Sequence, residues 1–443
     1  AVLHKDLANP HYTAWLRFLK STEDWSADQI HDYQLQELRR VVRLAYEQTE
    51  GYRKLWDQAG FSPSQLRTLA DVQRIPFVTK EMLQADVESF SLAVGGARKV
   101  STGGSSTGIP FWFYRSDVAF SKELASKAHQ YHRVGWQEGH RQFVLRGIPI
   151  TTESHLQYVP EFHELRASSF HLTSEQMETY WTAWLDYKPE WLRCYPSTGC
   201  TFASYLRDRG FEVPKLKGIL CASENLFRPQ KELLAQVFGC RPFSHYGHSE
   251  LAVLAGYCEY ADTYHVLPQY GYAELIDEDG NVVETAGRIG EIVATSFIMD
   301  ATLFVRYRIG DVATFDSHAC SQCGRPYQVW RSIEGRKQEF FVTKTGKMVS
   351  ATAAIAAIHD DIWDYIAEFQ FYQEAVGSAE FRFVSKDGCS STIIDQVRNK
   401  LESRFNHELN LTMVPVSKIE RTKRAKGRIL IQKLDLDAIW SHI

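Results

Sequence analysis

Between about residues 96 and 330, short apolar runs of strand length alternate with stretches of helical periodicity, and that alternation confines the chain to a layered α/β architecture. Phe143-Val144-Leu145 and Gly218-Ile219-Leu220-Cys221-Ala222 read as buried strands, and residues 202–206 and 232–237 as helices. Residues 272–276 and 281–283 flank Asp279-Gly280, a strong hairpin signal, and residues 291–295 form a further strand. Upstream, residues 1 to about 95 read as helical, with Leu38, Val41, Val42 and Ala45 at helical spacing before Tyr52, Leu55 and Trp56. After Gly335-Arg336 the period changes. Ala367, Phe369 and Phe371 alternate with polar residues, as do Phe381 and Phe383, and Ile394, Val397, Leu401 and Phe405 then mark one helix face. These periods predict a large α/β domain over 1–335, with a helical entry segment over 1–95, and a small α+β domain over 336–443.

Bulk properties narrow the function classes. A chain of 443 residues has room for two or three domains with ample core. Its net charge of −4 argues against a nucleic-acid surface, which needs an excess of Lys and Arg on one face. No apolar run approaches the roughly 20 residues that span a bilayer, and no signal pattern opens the chain, so the expectation is a cytoplasmic protein without membrane contact. Eight cysteines in this length make no disulfide scaffold and fit a reducing compartment, with some of them on metal.

Several polar motifs punctuate the apolar runs. Ser101 to Pro110 is a run of glycines and hydroxyl residues, including Thr102, Ser105, Ser106, Thr107 and Gly108. Such a run lets backbone and hydroxyl donors approach phosphate oxygens; taken alone it equals a flexible linker, and it is no Walker A loop, because no Gly-Lys-Ser/Thr follows. Tyr246-Gly247-His248-Ser249-Glu250 offers a carboxylate suited to a hard cation. Arg306-Tyr307-Arg308-Ile309-Gly310-Asp311 ends in a carboxylate able to accept from two hydroxyls. Near the end, Lys423, Arg424, Lys426 and Arg428 form a basic run whose plainer reading is a solvated face.

Cys320-Ser321-Gln322-Cys323-Gly324 is a thiolate knuckle suited to tetrahedral zinc. Cys258 and His265 lie upstream and complete a four-ligand set, with His318 as the alternative to His265. A closed set has no open coordination position and reads as structural, within a zinc-bearing subregion of about 256–330. The five other cysteines show no partner pattern and read as small apolar packers.

In order and spacing these motifs resemble those of the phenylacetate–CoA ligase family, capsule-biosynthesis-type branch included, within the adenylate-forming superfamily. The match covers nearly the whole chain and includes an entry segment, Ile75-Pro76-Phe77-Val78-Thr79-Lys80. The resemblance implies an acid-activating ligase that forms an acyl-adenylate and pyrophosphate from ATP, then passes the acyl group to coenzyme A. It implies phosphate contacts from Thr102 to Gly108, adenine packing at Tyr246 and Gly247, magnesium on Glu250, ribose on Asp311 and a nucleotide contact from Arg336. Lys426 would reach the site from a mobile C-terminal lid, with Lys423 as the alternative. Three positions depart from the family: Ile309 for a threonine, Glu339 for a pivot aspartate and Ala425 for a glycine. The implied acyl pocket draws on Tyr131, Tyr195, Ser223, Glu224, His245 and His248, a mixture of aromatic and small polar groups that suits an aryl or heteroaryl acid. Members of the branch also form homodimers. Transfer to an amine or a carrier protein is the nearest alternative, and a non-catalytic zinc-stabilised binding protein the more distant one.

Overall fold

The computed structural model describes residues 9–101, 111–148, 150–336, 340–346, 348–351, 365–405, 407–421 and 428–434. The chain divides into two compact units, one of residues 1–139 and 243–333, the other of 140–242 and 334–443. The segment 140–242, expected within the larger domain, groups with the C-terminal residues.

The first unit opens on helices α1 (Pro10–Ser21), α2 (Ala27–Gln48) and α3 (Glu50–Gln58), then α4 (Lys80–Ala85). Their ends are set by side chains that satisfy orphan N–H groups: Asn9 accepts from His11, and Ser26 and Gln29 form a reciprocal capping box. Helix α2 buries Ile30, Leu38, Val41, Val42 and Ala45, the stripe read from the sequence, and α3 buries Tyr52 and Trp56. Strands β1 (Arg98–Ser101) and β2 (Trp112–Arg115) pair antiparallel on either side of residues 102–110. Helix α5 (Asp117–Arg133) follows, capped by Ser116, and packs against α1 through Tyr12, Ala125 and Ala128.

From residue 243 the first unit is all strand. Strands β8 (Pro242–Gly247), β9 (Leu254–Tyr257), β10 (Tyr264–Val266), β11 (Gly271–Ile276), β12 (Ile289–Ser296), β13 (Tyr307–Ser317) and β14 (Val329–Arg336) lie in the order β11-β12-β13-β14-β10-β9-β8. The β11/β12, β12/β13, β10/β14, β9/β10 and β8/β9 pairs are antiparallel. The α/β alternation expected up to residue 330 therefore stops at 242. The connections beyond that point are short, and antiparallel neighbours need no helical crossover.

In the second unit, β3 (Gln142–Arg146), β4 (Leu156–Val159), β5 (Glu164–Ser168), β6 (Trp191–Cys194) and β7 (Gly218–Ala222) lie in the order β7-β6-β3-β5-β4. β3 pairs parallel with β5 and β6, β6 pairs parallel with β7, and β4 is antiparallel to β5. Helices α6 (Ser174–Tyr187), α7 (Pro196–Asp208) and α8 (Arg228–Phe238) belong to the same segment, and α6 and α7 make the crossovers into β6 and β7. Every residue of β7 is buried, as the continuous apolar run foretold. Phe143, Trp184, Phe202 and Phe238 form an aromatic core. Gly218 has a steric reason to be glycine, since a Cβ there would lie 2.4 Å from the Trp191 ring.

The C-terminal part of the second unit is a small α+β body. Strands β15 (Phe340–Val342) and β16 (Met348–Ser350) pair antiparallel. β17 (Ile366–Ala375), β18 (Ser378–Ser385), β19 (Asn410–Pro415) and β20 (Leu430–Gln432) form a sheet of order β19-β18-β17-β20. Helix α9 (Ser391–Arg404) brings Val397 and Leu401 into one core with Phe371, Phe381, Phe383 and Phe405. Layered α/β with a small α+β C-terminal part is thus the observed fold class. Among the described residues no helix is long and apolar enough to cross a membrane.

Candidate functional site

In the first unit, two of the singled-out motifs meet. Tyr246, near the end of β8, donates its hydroxyl hydrogen to Asp311 Oδ2 at 2.6 Å, and Asp311 sits buried on β13 just after Gly310, whose φ is +80°. That left-handed backbone favours glycine. Glu250 is buried beside the same pair of strands. His248 Nδ1 lies 2.9 Å from its Oε2, and Tyr307 Oη lies 3.4 Å from its Oε1. Among the described residues, His248 Nε2 is buried with no hydrogen-bond partner. The cluster thus presents two carboxylates and an imidazole.

The arginines of the same motif hold it in place. Arg306 is buried, donates to both carboxylate oxygens of Glu274 at 3.1 Å, and donates to the carbonyls of Gln73 and Ile75 at 2.7 Å. Its guanidinium also lies over the Phe77 ring. Arg308 pairs with Glu291, and its N–H donates to the Val78 carbonyl at 2.9 Å. The entry segment around Phe77 is therefore clamped onto β13. Arg306 is a structural residue whose role the sequence hid, because burial of an arginine shows only through its partners.

His245 and Tyr131 are brought together: Tyr131 Oη lies 3.1 Å from His245 Nδ1, with the rings edge to face. Gly256, opposite His245 in the β8/β9 register, makes room for Gln130 of α5, whose Oε1 would lie 2.6 Å from a Cβ there. That close approach lets the neighbouring Tyr131 reach the strand. In the second unit, Tyr195 is buried after β6. Glu224 accepts from the Ser197 N–H at 2.9 Å and from its hydroxyl at 3.0 Å. Arg421 Nη1 lies 3.5 Å from Ser197 Oγ, and Arg421 pairs with Glu368. Ser223 has φ +70°, an uncommon backbone for a residue with a side chain.

The residues expected at the metal form one cluster, in the first unit. Cys258, His265, Cys320 and Cys323 place all four ligand atoms within 4.8 Å of one another. The Cys258 and Cys320 sulfurs are 3.8 Å apart, and Cys323 Sγ lies 3.9 Å from His265 Nε2. A tetrahedron with Zn–S bonds of about 2.3 Å has sulfur–sulfur edges of about 3.8 Å, so the donor set and spacing fit zinc. Burial pushes the Cys258 thiol up to about 11 and the His265 imidazole down to about 4. Around Cys323 burial also acts upward, but hydrogen bonds from Arg325 outweigh it and leave that thiol below its ordinary range. Arg133, at the end of α5, fastens the cluster by a fork onto Glu259 at 2.8 and 3.0 Å and by its Nη2, 3.0 Å from His265 Nδ1. His318 is exposed beside Glu284, outside the cluster.

Thr102, Ser105, Ser106, Thr107, Gly108 and Lys426 lie outside the described residues, as do Lys423 and Glu339. Arg336 is the last residue of β14, and its side chain is likewise outside them; the preceding Gly335 has φ +92°.

Compared with known proteins, the chain is similar over nearly its whole length to the protein CapK of Staphylococcus aureus, at 22% identity over 98% of this chain and 95% of that one. It is also similar to the phenylacetate-coenzyme A ligase of Thermus thermophilus, at 22% identity over 90% of this chain and 96% of that one. No protein-family profile matches. Among solved structures, a 2-hydroxyisobutyryl-CoA ligase in its postadenylation state superposes with a TM-score of 0.74 at 17% identity, covering 95% and 94% of the two chains. An acyl acid amido synthetase gives a TM-score of 0.60 at 11% identity, covering 97% and 96%. The fold is that of adenylate-forming ligases, and the likeness to phenylacetate–CoA ligases expected from the motifs is borne out over nearly the whole chain.

Proposed function

We propose that this protein activates a carboxylic acid with ATP, forming an acyl-adenylate and pyrophosphate, and then transfers the acyl group to the thiol of coenzyme A. The observation that carries the reading is the Tyr246–Asp311 hydrogen bond beside buried Glu250. Three polar groups from two separate segments meet within one unit of an adenylate-forming fold. In the first step the acid's carboxylate oxygen attacks the α-phosphorus, and the bond to the bridging oxygen of pyrophosphate breaks. In the second the sulfur of coenzyme A attacks the acyl carbon, AMP leaves, and the thiol proton is released.

Bringing two anions together needs preorganised positive charge and hydrogen-bond donors. Asp311 is suited to accept from the ribose hydroxyls, and Tyr246, which already donates to it, to lie along the adenine. The Glu250 carboxylate would hold magnesium, a hard cation that prefers oxygen ligands and neutralises phosphate charge. The hydroxyl run 102–108 is assigned to the β- and γ-phosphates, Arg336 to the nucleotide at the hinge, and Lys426 to the adenylation transition state. Residues 336–443 act as the mobile lid. By the resemblance, Tyr131, Tyr195, Ser223, Glu224, His245 and His248 are assigned to the acid; their aromatic share favours an aryl or heteroaryl acid. Cys258, His265, Cys320 and Cys323 would hold zinc as a closed structural centre, tying β9 and β10 to the loop between β13 and β14.

The test is mass-spectrometric detection of AMP and acyl-CoA from the full chain with ATP, magnesium, coenzyme A and a panel of aryl, heteroaryl, amino and fatty acids. Formation of AMP and a thioester in equal amounts with one acid class is expected. AMP formed only with an amine or a carrier protein present would move the second step to amide synthesis or carrier loading. Absence of AMP with every acid and acceptor would favour a zinc-stabilised binding protein.

A further inference from the structure

The last turn of a helix lacks partners for its carbonyls and frays unless something outside the helix holds it. Helix α5 ends at Arg133, and the expected metal cluster holds that residue. Glu259 directly follows Cys258, and Arg325 stands two residues after Cys323. The Glu259 carboxylate takes the Arg133 fork and also accepts from Arg325 Nη1 at 2.8 Å. Arg325 donates to the Cys323 sulfur as well, while Arg133 Nη2 reaches His265. The Arg133 and Glu259 side chains are only 6% and 13% exposed.

Among the described residues, one carboxylate in direct contact thus serves two guanidiniums, and both touch the cluster. Glu23 acts on them only through space, and its carboxylate is bonded to His129 at 2.8 Å. Zinc on three thiolates and a neutral imidazole carries net negative charge. The loaded centre therefore supplies the counter-charge that the second guanidinium lacks. Tyr131 lies two residues before Arg133, so it leaves the helix at about 200° to it. Its hydroxyl meets His245 of β8, and the Trp136 ring packs edge-on against it. The end of α5 is tied to β8 by one residue and to the metal cluster by another, all within the first unit.

We infer that Arg133 and Glu259 are positioning residues through which the loaded metal centre fixes the C-terminal end of α5, and with it Tyr131 against His245. The centre then orients part of the acid pocket besides stapling loops together. The inference rests on the zinc assignment above, and its consequence for the acid rests on the assignment of Tyr131 and His245.

The experiment is hydrogen exchange read by mass spectrometry on the full chain, with zinc bound and after its removal by a chelator, in wild type, Glu259→Gln and Arg133→Lys. Elemental analysis of the same samples gives the metal content. Removing zinc from the wild type is expected to speed hydrogen exchange at residues 129–133 by about tenfold or more, the span of one hydrogen bond to a charged group, and restoring zinc to reverse it. Glu259→Gln is expected to keep its zinc and yet exchange fast at 129–133, with α2 unchanged. Arg133→Lys, which keeps the charge without the fork, should lie between. Either variant carries the test if the other fails to fold. Hydrogen exchange at 129–133 that ignores zinc, an acceleration spread evenly over α2 and α5, or a wild type that holds no zinc overturns the inference. In acid-dependent ATP–pyrophosphate exchange, Glu259→Gln is expected to raise the KM for the acid about tenfold and leave the KM for ATP unchanged. Both KM values unchanged beside the expected pattern at 129–133 would uphold the coupling and overturn its consequence for the acid. No pyrophosphate exchange from the wild type with any acid would contradict the adenylation reading, and the pattern at 129–133 would still decide the coupling.

Discussion

Tyr246 and Asp311, on separate strands of one unit, are joined by a hydrogen bond of 2.6 Å from the tyrosine hydroxyl to the carboxylate. Replacing Asp311 by asparagine keeps the size but gives up the charge and one acceptor. Asp311→Asn is therefore expected to raise the KM for ATP by roughly 10–100-fold, since a hydrogen bond to a charged group is worth about 1.5–3 kcal/mol. Tyr246→Phe, which leaves the carboxylate in place, is expected to cost about tenfold or less. Exchange rates measured against ATP concentration check both, and an unchanged KM in Asp311→Asn would remove Asp311 from the nucleotide.

Arg306 satisfies one buried carboxylate and two backbone carbonyls at once. Lysine keeps the charge but cannot fork. Arg306→Lys is expected to destabilise the fold by roughly 1–3 kcal/mol, the cost of leaving a buried acceptor unsatisfied. Glu274, whose pKa burial already pushes up, would then be left without its guanidinium. Urea unfolding reads the loss, and a midpoint equal to that of the wild type would contradict the clamp.

These arginines show where sequence reading stops. The buried run of β7 and the stripe of α9 were legible because burial imprints a period on residue type. Tyr246, Glu250 and Asp311 stood out by residue type and motif, and Cys258, His265, Cys320 and Cys323 as four potential ligands that the structure brings together. Illegible was whatever depends on which strand lies beside which. Arg306 reads as part of a polar motif, and only its contact with residues 73 and 75 makes it a structural pin. Arg146 ends an apolar strand and draws no notice until strand order sets it beside Tyr195. The choice between His265 and His318 was open for the same reason, because pairing of β9 with β10 decides it.

Elemental analysis is expected to find one zinc per chain. Cys323→Ser and His265→Ala should lose it and lower the melting temperature by roughly 5–10 °C, a fall of a few kcal/mol in a domain of this size. His318→Ala should retain both metal and stability. Full metal content in Cys323→Ser would exclude that thiol as a ligand.

Acid sensitivity should come partly from Glu138. Burial acts to raise its pKa, but hydrogen bonds from His132 at 2.7 Å and Tyr12 at 2.9 Å, with the His132 charge, outweigh it and hold the group down to about 2. A carboxyl lowered in the folded state stabilises it above its unfolded value and loses that contribution as pH falls through the folded one. Stability should therefore decline between about pH 4.5 and 2, and Glu138→Gln should decline less steeply across that window. Parallel acid titrations followed by circular dichroism, if they gave identical slopes, would remove Glu138 from the acid transition.

The central claim is adenylation, and its most direct measurement is isotope exchange between pyrophosphate and ATP in the presence of magnesium and a panel of acids, without coenzyme A. The account predicts exchange that depends on one class of acid, is lost without magnesium and is sharply reduced in Asp311→Asn. Exchange that proceeds without any acid, or fails with every acid while the protein still binds ATP and holds zinc, would contradict it.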